Sequence, residues 1–374
     1  NAAFLETLAD LGLARADLIQ AGLLPTPTLT MLFPAGPKQL EFTAKFPLEA
    51  LWLRPRRVAA AKLDYERAAE RLVQNGLDLI RDVKLASADL TFAIQRAQLA
   101  EEAAQLSAQI AELARARLAA GEASELEIST ARVDALQAQE QLARARRDVR
   151  LARERLRHLA GLKPEQWTTG FVEPARPANV EHDVNQLVSQ ALAARPDLRA
   201  AELGLESAGK RIGLARAEIY TLTGILDANG SGSAFEAGPG ADLAIPIFHQ
   251  NQGGRALAKA RLEKAARQYA TVRDYIALEV REAHTRAAQA WESFKTWHER
   301  ILPPLDEAVR QAGQAYAAGD VSYLFVLESS RKRTEARLKE VSAAAELQRA
   351  TAELERSVGG RLTPSNDQAK TNAN

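Results

Sequence analysis

Apolar residues recur at helical spacing through most of this chain, and in two short stretches they alternate with polar ones. Residues 56–119 contain one glycine, Gly76, and no proline, and residues 122–160 contain neither. At 1.5 Å per residue, a helix over 56–119 is a rod roughly 95 Å long. Globular helices rarely exceed about 25 residues, so this length belongs to a coiled coil, a membrane span or a helical repeat. The stretch after Gly121 runs to about Leu159, with Leu126, Ala131, Leu136, Leu142 and Leu156 on its apolar side. The same pattern predicts helices over 3–24, 183–194, from Arg195-Pro196-Asp197 to about Ile219, 254–318 and 321–357. Arg54-Pro55-Arg56-Arg57 opens the first long helix, with proline in its first turn.

The period changes at two places. Leu29, Met31 and Phe33 alternate with Thr28, Thr30 and Leu32. After Pro34-Ala35-Gly36-Pro37, Leu40, Phe42, Ala44, Phe46 and Leu48 alternate with Gln39, Glu41, Thr43 and Lys45. This predicts a hairpin over 27–48. A second spans 220–247, with its turn in the glycine-rich run Asn229–Gly232 and Gly238-Pro239-Gly240. A lone hairpin is marginal in water. Three copies would supply twelve strands, an even number that suits an outer-membrane barrel.

The long helices break at two related places, RLAAGEAS at 117–124 and YAAGDVS at 316–322. Gly121 and Gly319 suit the left-handed position that ends a helix, and Ser124 and Ser322 suit the cap of the next. The breaks belong to a repeat of roughly 200 residues in constant order. Gly12–Leu18 matches Gly213–Ile219, Phe46-Pro47-Leu48 matches Ile245-Pro246-Ile247, and Ala119–Ser124 matches Ala317–Ser322. The expected organisation is a first repeat over 1–162, a linker over 163–182 broken by Pro164, Gly170, Pro174 and Pro177, a second repeat over 183–359, and a disordered tail over 360–374. Each repeat reads helix, hairpin, very long helix, sharp turn, helix.

Composition narrows the function. The net charge of +1 argues against general attraction to nucleic-acid phosphates. With no cysteine, thiol catalysis and cysteine-ligated metal are excluded. No run of about 20 apolar residues marks a transmembrane helix. The chain starts at Asn1 and its sole methionine is Met31, so a processed or trimmed product is expected. His158, His182, His249, His284 and His298 are scattered, with no i, i+4 pair. Gly230–Gly240 precedes no lysine-serine helix start and reads as a turn. Asp306-Glu307 follows Pro303-Pro304 on a rod, where a kink with solvated charges fits better than acid/base work. No nucleophile–base constellation is present, and the chain is read as a non-enzyme without cofactor or metal.

The order and spacing of these features resemble the TolC-like outer membrane factors of bacterial efflux and type I secretion. The resemblance covers about residues 10–357. It rests on the paired tip turns, the two-fold repeat, Gly22–Leu29 entering the first strand, and Ala194-Arg195-Pro196-Asp197-Leu198 opening the second half. It implies a mainly α fold with a β-barrel part: a homotrimer whose coiled-coil helices form a periplasmic tunnel and whose hairpins form a twelve-stranded barrel in outer-membrane lipid. The tips would dock on a periplasmic adaptor (membrane fusion) protein, which links them to an inner-membrane pump. At named positions, the resemblance implies a channel constriction at Glu328, with Phe325 on the same helix face, where three symmetry-related carboxylates repel one another and favour cations or water. It implies adaptor-docking tips at Ala120, Gly121, Ser124, Ala318, Gly319 and Ser322. The competing reading is a soluble or periplasmic coiled-coil adaptor or scaffold whose hairpins are surface sheets. The hairpins discriminate, since a duct needs outward apolar residues such as Leu40, Phe42, Phe46, Leu243 and Ile245.

Overall fold

The computed structural model describes residues 1–33, 40–121, 123–163, 183–231 and 234–362. The first hairpin turn at Pro34–Pro37, Gly232, His182, nearly all of the 163–182 linker and most of the tail lie outside them. Eight α-helices and four strands follow in the order α1 (Ala2–Gly22), β1 (Thr28–Leu32), β2 (Leu40–Pro47), α2 (Ala50–Ala119), α3 (Glu125–Ala160), α4 (Val184–Ala194), α5 (Pro196–Ala217), β3 (Leu222–Ser231), β4 (Ala234–Leu243), α6 (Gln252–Lys295), α7 (Leu302–Ala318) and α8 (Tyr323–Val358). Two compact units share them. One holds residues 3–75 and 195–275, with all four strands; the other holds 1–2, 76–194 and 276–374.

In the strand-bearing unit, the two hairpins join into one antiparallel sheet in the order β1-β2-β3-β4. Met31 pairs with Phe42, Phe42 with Ala228 and Ala228 with Ala237. Directly opposed residues project to the same side, so this register sorts the sheet into two faces. One carries Leu29, Met31, Leu40, Phe42, Ala44, Phe46, Leu222, Leu226, Ala228, Ala237, Pro239, Ala241 and Leu243, with Gly224 and Gly230 between them. The other carries Thr28, Thr30, Glu41, Thr43, Lys45, Thr223, Asp227, Asn229, Glu236 and Asp242, with Leu32, Ile225 and Pro47 as its larger apolar members. On the polar face, Thr43 Oγ1 donates to Asp227 Oδ1 at 2.8 Å. The described residues leave much of the apolar face open: Leu29 is 64%, Leu226 50% and Leu243 56% exposed. Gly224 admits the side chain of Leu48, whose Cδ1 would lie 3.1 Å from an added Cβ.

The sequence expectation that Gly238-Pro239-Gly240 belongs to a turn is corrected. Those residues lie inside β4, with Pro239 opposite Leu226. Proline lacks a donor for the ladder and is tolerated at an edge, and β4 is an edge of this sheet. Ile245, expected on a strand, lies past the end of β4.

The helical unit packs through small residues. Near the α2–α3 turn, Ala111, Ala114, Ala131 and Ala135 form a buried cluster beside Ile110 and Ile128; farther along, Ala86, Leu90 and Leu156 form another. Alanine lets helices approach closely at no cost in side-chain entropy. Ion pairs tie α2 to α8 and α6: Arg356 Nε meets Asp78 at 2.6 Å and its other arm meets Glu279, while Arg349 meets Asp89 at 2.6 Å.

Two helix boundaries differ from the sequence pattern. The first long helix starts at Ala50, which places Pro55 inside it. The helix expected over 254–318 is interrupted by a π-helical turn, Thr296–Ile301. Pro303 and Pro304 have no N–H to offer the carbonyls of Glu299 and Arg300. The ladder shifts by one residue instead: the N–H of Leu302 bonds the carbonyl of Trp297, five residues back. Asp306 then pairs with Arg333, and Glu307 with Arg310 at 2.7 Å.

Candidate functional site: the helix tips and the start of the last helix

Both long helices end on a glycine with positive φ, at +79° for Gly121 and +86° for Gly319. An L side chain strains in that conformation, so glycine is required although neither position is crowded. At the second tip, the N–H of Asp320 bonds the carbonyl of Ala315 at 2.9 Å, which closes the helix end in the Schellman manner. All six predicted tip residues, Ala120, Gly121, Ser124, Ala318, Gly319 and Ser322, are exposed in the chain.

The tips are capped differently. Ser124 is the N-cap of α3, and its hydroxyl accepts the N–H of Glu127 at 3.2 Å. The Glu127 carboxylate pairs back to Arg117 at the end of α2, at 2.7 Å, so one side chain braces both helices. Ser322 is the N-cap of α8 but makes no side-chain cap bond. There, Tyr316 and Tyr323 close the turn with ring centroids 5.2 Å apart. Leu324 reaches into a small groove of about 280 Å³ whose lining includes Ile110, Ala114, Arg117 and Ala131, so the start of α8 lies beside the α2–α3 tip.

Phe325 is exposed, and Glu328 follows one turn later with its side chain half-exposed. Glu328 is not alone. Arg331 donates to it at 3.0 Å and to Glu335 at 3.0 Å. The hydrogen bond that Arg331 donates to Glu328 is the main reason that its guanidinium is held above the ordinary arginine range, with Glu335 and Asp134 adding to it. The sequence reading missed Arg331, although glutamate followed three residues later by arginine on a helix is a visible signal.

His298 Nδ1 lies 2.6 Å from Glu340 Oε1, and its ring stacks on Phe294 at 5.3 Å. Among the described residues, no group of three or more His, Cys, Asp or Glu is placed to hold a metal, and no helix is long and apolar enough to cross a membrane.

Comparison with known proteins points one way. The family model for outer membrane efflux proteins matches residues 32–162 and 187–360. The cobalt-zinc-cadmium resistance protein CzcC of Cupriavidus metallidurans is 26% identical over 360 residues, which span 94% of this chain and 85% of CzcC. The outer-membrane channel OprN has a similar structure, with a TM-score of 0.78 and 22% identity over 96% of this chain and 87% of OprN. So does the open-state MtrE outer membrane channel of Neisseria gonorrhoeae, with a TM-score of 0.76 and 20% identity over 98% of this chain and 87% of MtrE.

Proposed function

Since the chain belongs to the outer membrane efflux protein family, we propose that it works as the passive, homotrimeric exit duct of a tripartite efflux or type I secretion system. In this reading, its tips dock on a periplasmic adaptor, and an inner-membrane pump supplies the energy. The family assignment displaces the alternative of a coiled-coil adaptor or scaffold.

The observation that carries the duct reading is the sheet. One face is apolar and uncovered, the other is polar, and both β1 and β4 are open edges. Unpaired edges cannot face hydrocarbon, because their N–H and C=O groups would go unsatisfied. Three copies joined edge to edge remove every edge. The apolar faces then turn to lipid and the polar faces to the lumen, as outer-membrane barrels require.

Each half supplies one hairpin and one helix pair in this assembly, matching the sequence repeat. Glu328 and Phe325 form the constriction, with Arg331 as a built-in counter-charge that lowers its net negative charge. Ala120, Gly121, Ser124, Ala318, Gly319 and Ser322 form the docking tips. CzcC is named for resistance to cobalt, zinc and cadmium, and its coverage makes those cations the first cargo to assay here. The test is mass by light scattering with and without detergent, followed by bilayer conductance. A detergent-dependent trimer that conducts is expected; a monomer or dimer soluble in plain buffer would overturn the reading.

A further inference from the structure

In the strand-bearing unit, α1, α5 and the first parts of α2 and α6 line a continuous trough. Its larger stretch encloses about 940 Å³ and the next about 570 Å³, and Ala14, Asp17, Asp64, Arg211 and Arg261 line both. Along α2, the lining runs from Arg57 to Asn75, roughly 27 Å of helix. The trough touches one side of each of the four helices, as the concave side of a wall would, and in the duct reading that side faces the lumen.

Fixed positive charge prevails there. The larger stretch holds five cations, Arg67, Arg71, Arg211, Arg261 and Lys264, against four carboxylates. Two of those carboxylates are committed. Asp197 is held at 2.6 Å by Arg195, which lies outside the lining. Asp64 takes Arg211 at 2.5 Å and the Ser207 hydroxyl at 2.9 Å, with Arg67 at 4.0 Å. The remaining two, Asp10 and Asp17, both stand on α1. Arg71, Arg261 and Lys264 make no ion pair among the described residues. The arginines also feel one another: partial burial first, then Arg71 and Arg211, pull Arg67 below the ordinary arginine range against the opposing pull of Asp64. Gly204 makes the space for Arg67, since an added Cβ would lie 3.3 Å from its Nη1.

We infer that the cluster of Arg67, Arg71 and Arg211, with Arg261 and Lys264 beside it, is an anion-selecting level of the duct wall that concentrates small inorganic anions such as chloride. Rings of arginine and lysine serve this role in anion pores, and a concave wall focuses the field. Chloride drawn to the guanidinium groups also screens them from a cationic cargo. The inference rests on the duct reading above but not on the identity of the cargo.

The test reconstitutes the full chain in a planar bilayer across a potassium chloride gradient near 10 mM, where the Debye length is about 30 Å. The readout is the chloride-to-potassium permeability ratio of each variant relative to wild type. Arg71→Glu, at an exposed position, is expected to lower it about threefold, and Arg261→Gln about half as far in the same direction. Arg267→Glu, exposed on α6 outside the trough, is expected to leave the ratio unchanged. Near 1 M salt, where the Debye length is about 3 Å, the differences are expected to vanish. An Arg71→Glu channel with the wild-type ratio at low salt, or one matched by Arg267→Glu, would overturn the inference while leaving the duct intact. A wild-type protein that never conducts would overturn the duct reading and this inference together.

Discussion

The two tips pose a question that a pair of serine substitutions can answer. Ser124 accepts the N–H of Glu127, and loss of such a cap costs about 1 kcal/mol. The Glu127–Arg117 pair, with both side chains over a third exposed, adds no more than about 0.5 kcal/mol. Ser124→Ala therefore raises the local opening of the first turn of α3 about fivefold, since 1.4 kcal/mol is a factor of ten. Ser322 makes no side-chain cap bond, so Ser322→Ala should change the first turn of α8 by less than about twofold. Amide hydrogen exchange over 123–130 and 321–328 measures both. Equal acceleration at the two tips, or none at Ser124, would refute the assignment of unequal caps. The pair also separates structure from docking. If Ser322→Ala abolishes export with no change in exchange, its hydroxyl acts on a partner. If only Ser124→Ala harms export, in step with its fraying, that serine acts through the turn.

Arg331→Gln uncovers Glu328 and Glu335. Three lost positive charges about 10 Å from the axis of a narrow neck amount to ~1 kcal/mol in water before screening, so the potassium-to-chloride ratio in a bilayer should rise about fourfold near 0.1 M salt, since the cation gains and the anion loses; an unchanged ratio would remove Glu328 and Arg331 from the constriction. Arg356→Met removes the guanidinium that Asp78 and Glu279 share, while Asp78 keeps Arg81 at 3.9 Å; with the arginine side chain only 15% exposed the loss should be about 2 kcal/mol, read as a lower melting temperature by circular dichroism in detergent, and an unshifted melt would show that solvent already screens the pair. Leu226→Lys puts a charge on the apolar face of the sheet, which costs about 2–4 kcal/mol at the middle of a bilayer, and should deplete the chain from outer-membrane fractions; normal recovery would mean that this face does not meet lipid.

Much of the fold was legible because its signals are local. A long stretch without proline needs no partner to announce a helix, and the left-handed glycines at 121 and 319 follow from their place after a helical run. The alternation of β2 was equally plain, since its apolar and polar residues differ at every step. The second hairpin was harder. Ala237, Pro239 and Ala241 share the apolar face of β4 with Leu243, but Gly238, Pro239 and Gly240 in succession look like a turn when read without the neighbouring strand. The register against β3 resolves them. Ten consecutive pairs of the β3–β4 ladder do not depend on the β propensity of β4, because β3 is held from its other side by β2, with Leu226 opposite Ala44 and Ile225 opposite Lys45.

The charged features of the site were illegible for a different reason. Helices of this composition present arginine and glutamate at every turn, and the sequence cannot distinguish a solvated arginine from one that meets a carboxylate hundreds of residues away. Arg356 and Arg71 look alike in sequence. One is partly buried between Asp78 and Glu279; the other lies exposed in the trough with no ion-pair partner among the described residues. Asp64 shows what decides between these fates. It is shared by Arg211 and Ser207 of α5 and approached by Arg67 of its own helix, so one carboxylate is spread over two guanidinium groups and their charge exceeds its own. Local pairing rules on one helix predict neutrality here, because Asp64 and Arg67 are three residues apart. The packing of α5 against α2 adds Arg211 and leaves the level positive. The sign of the field in the trough is therefore a property of helix packing.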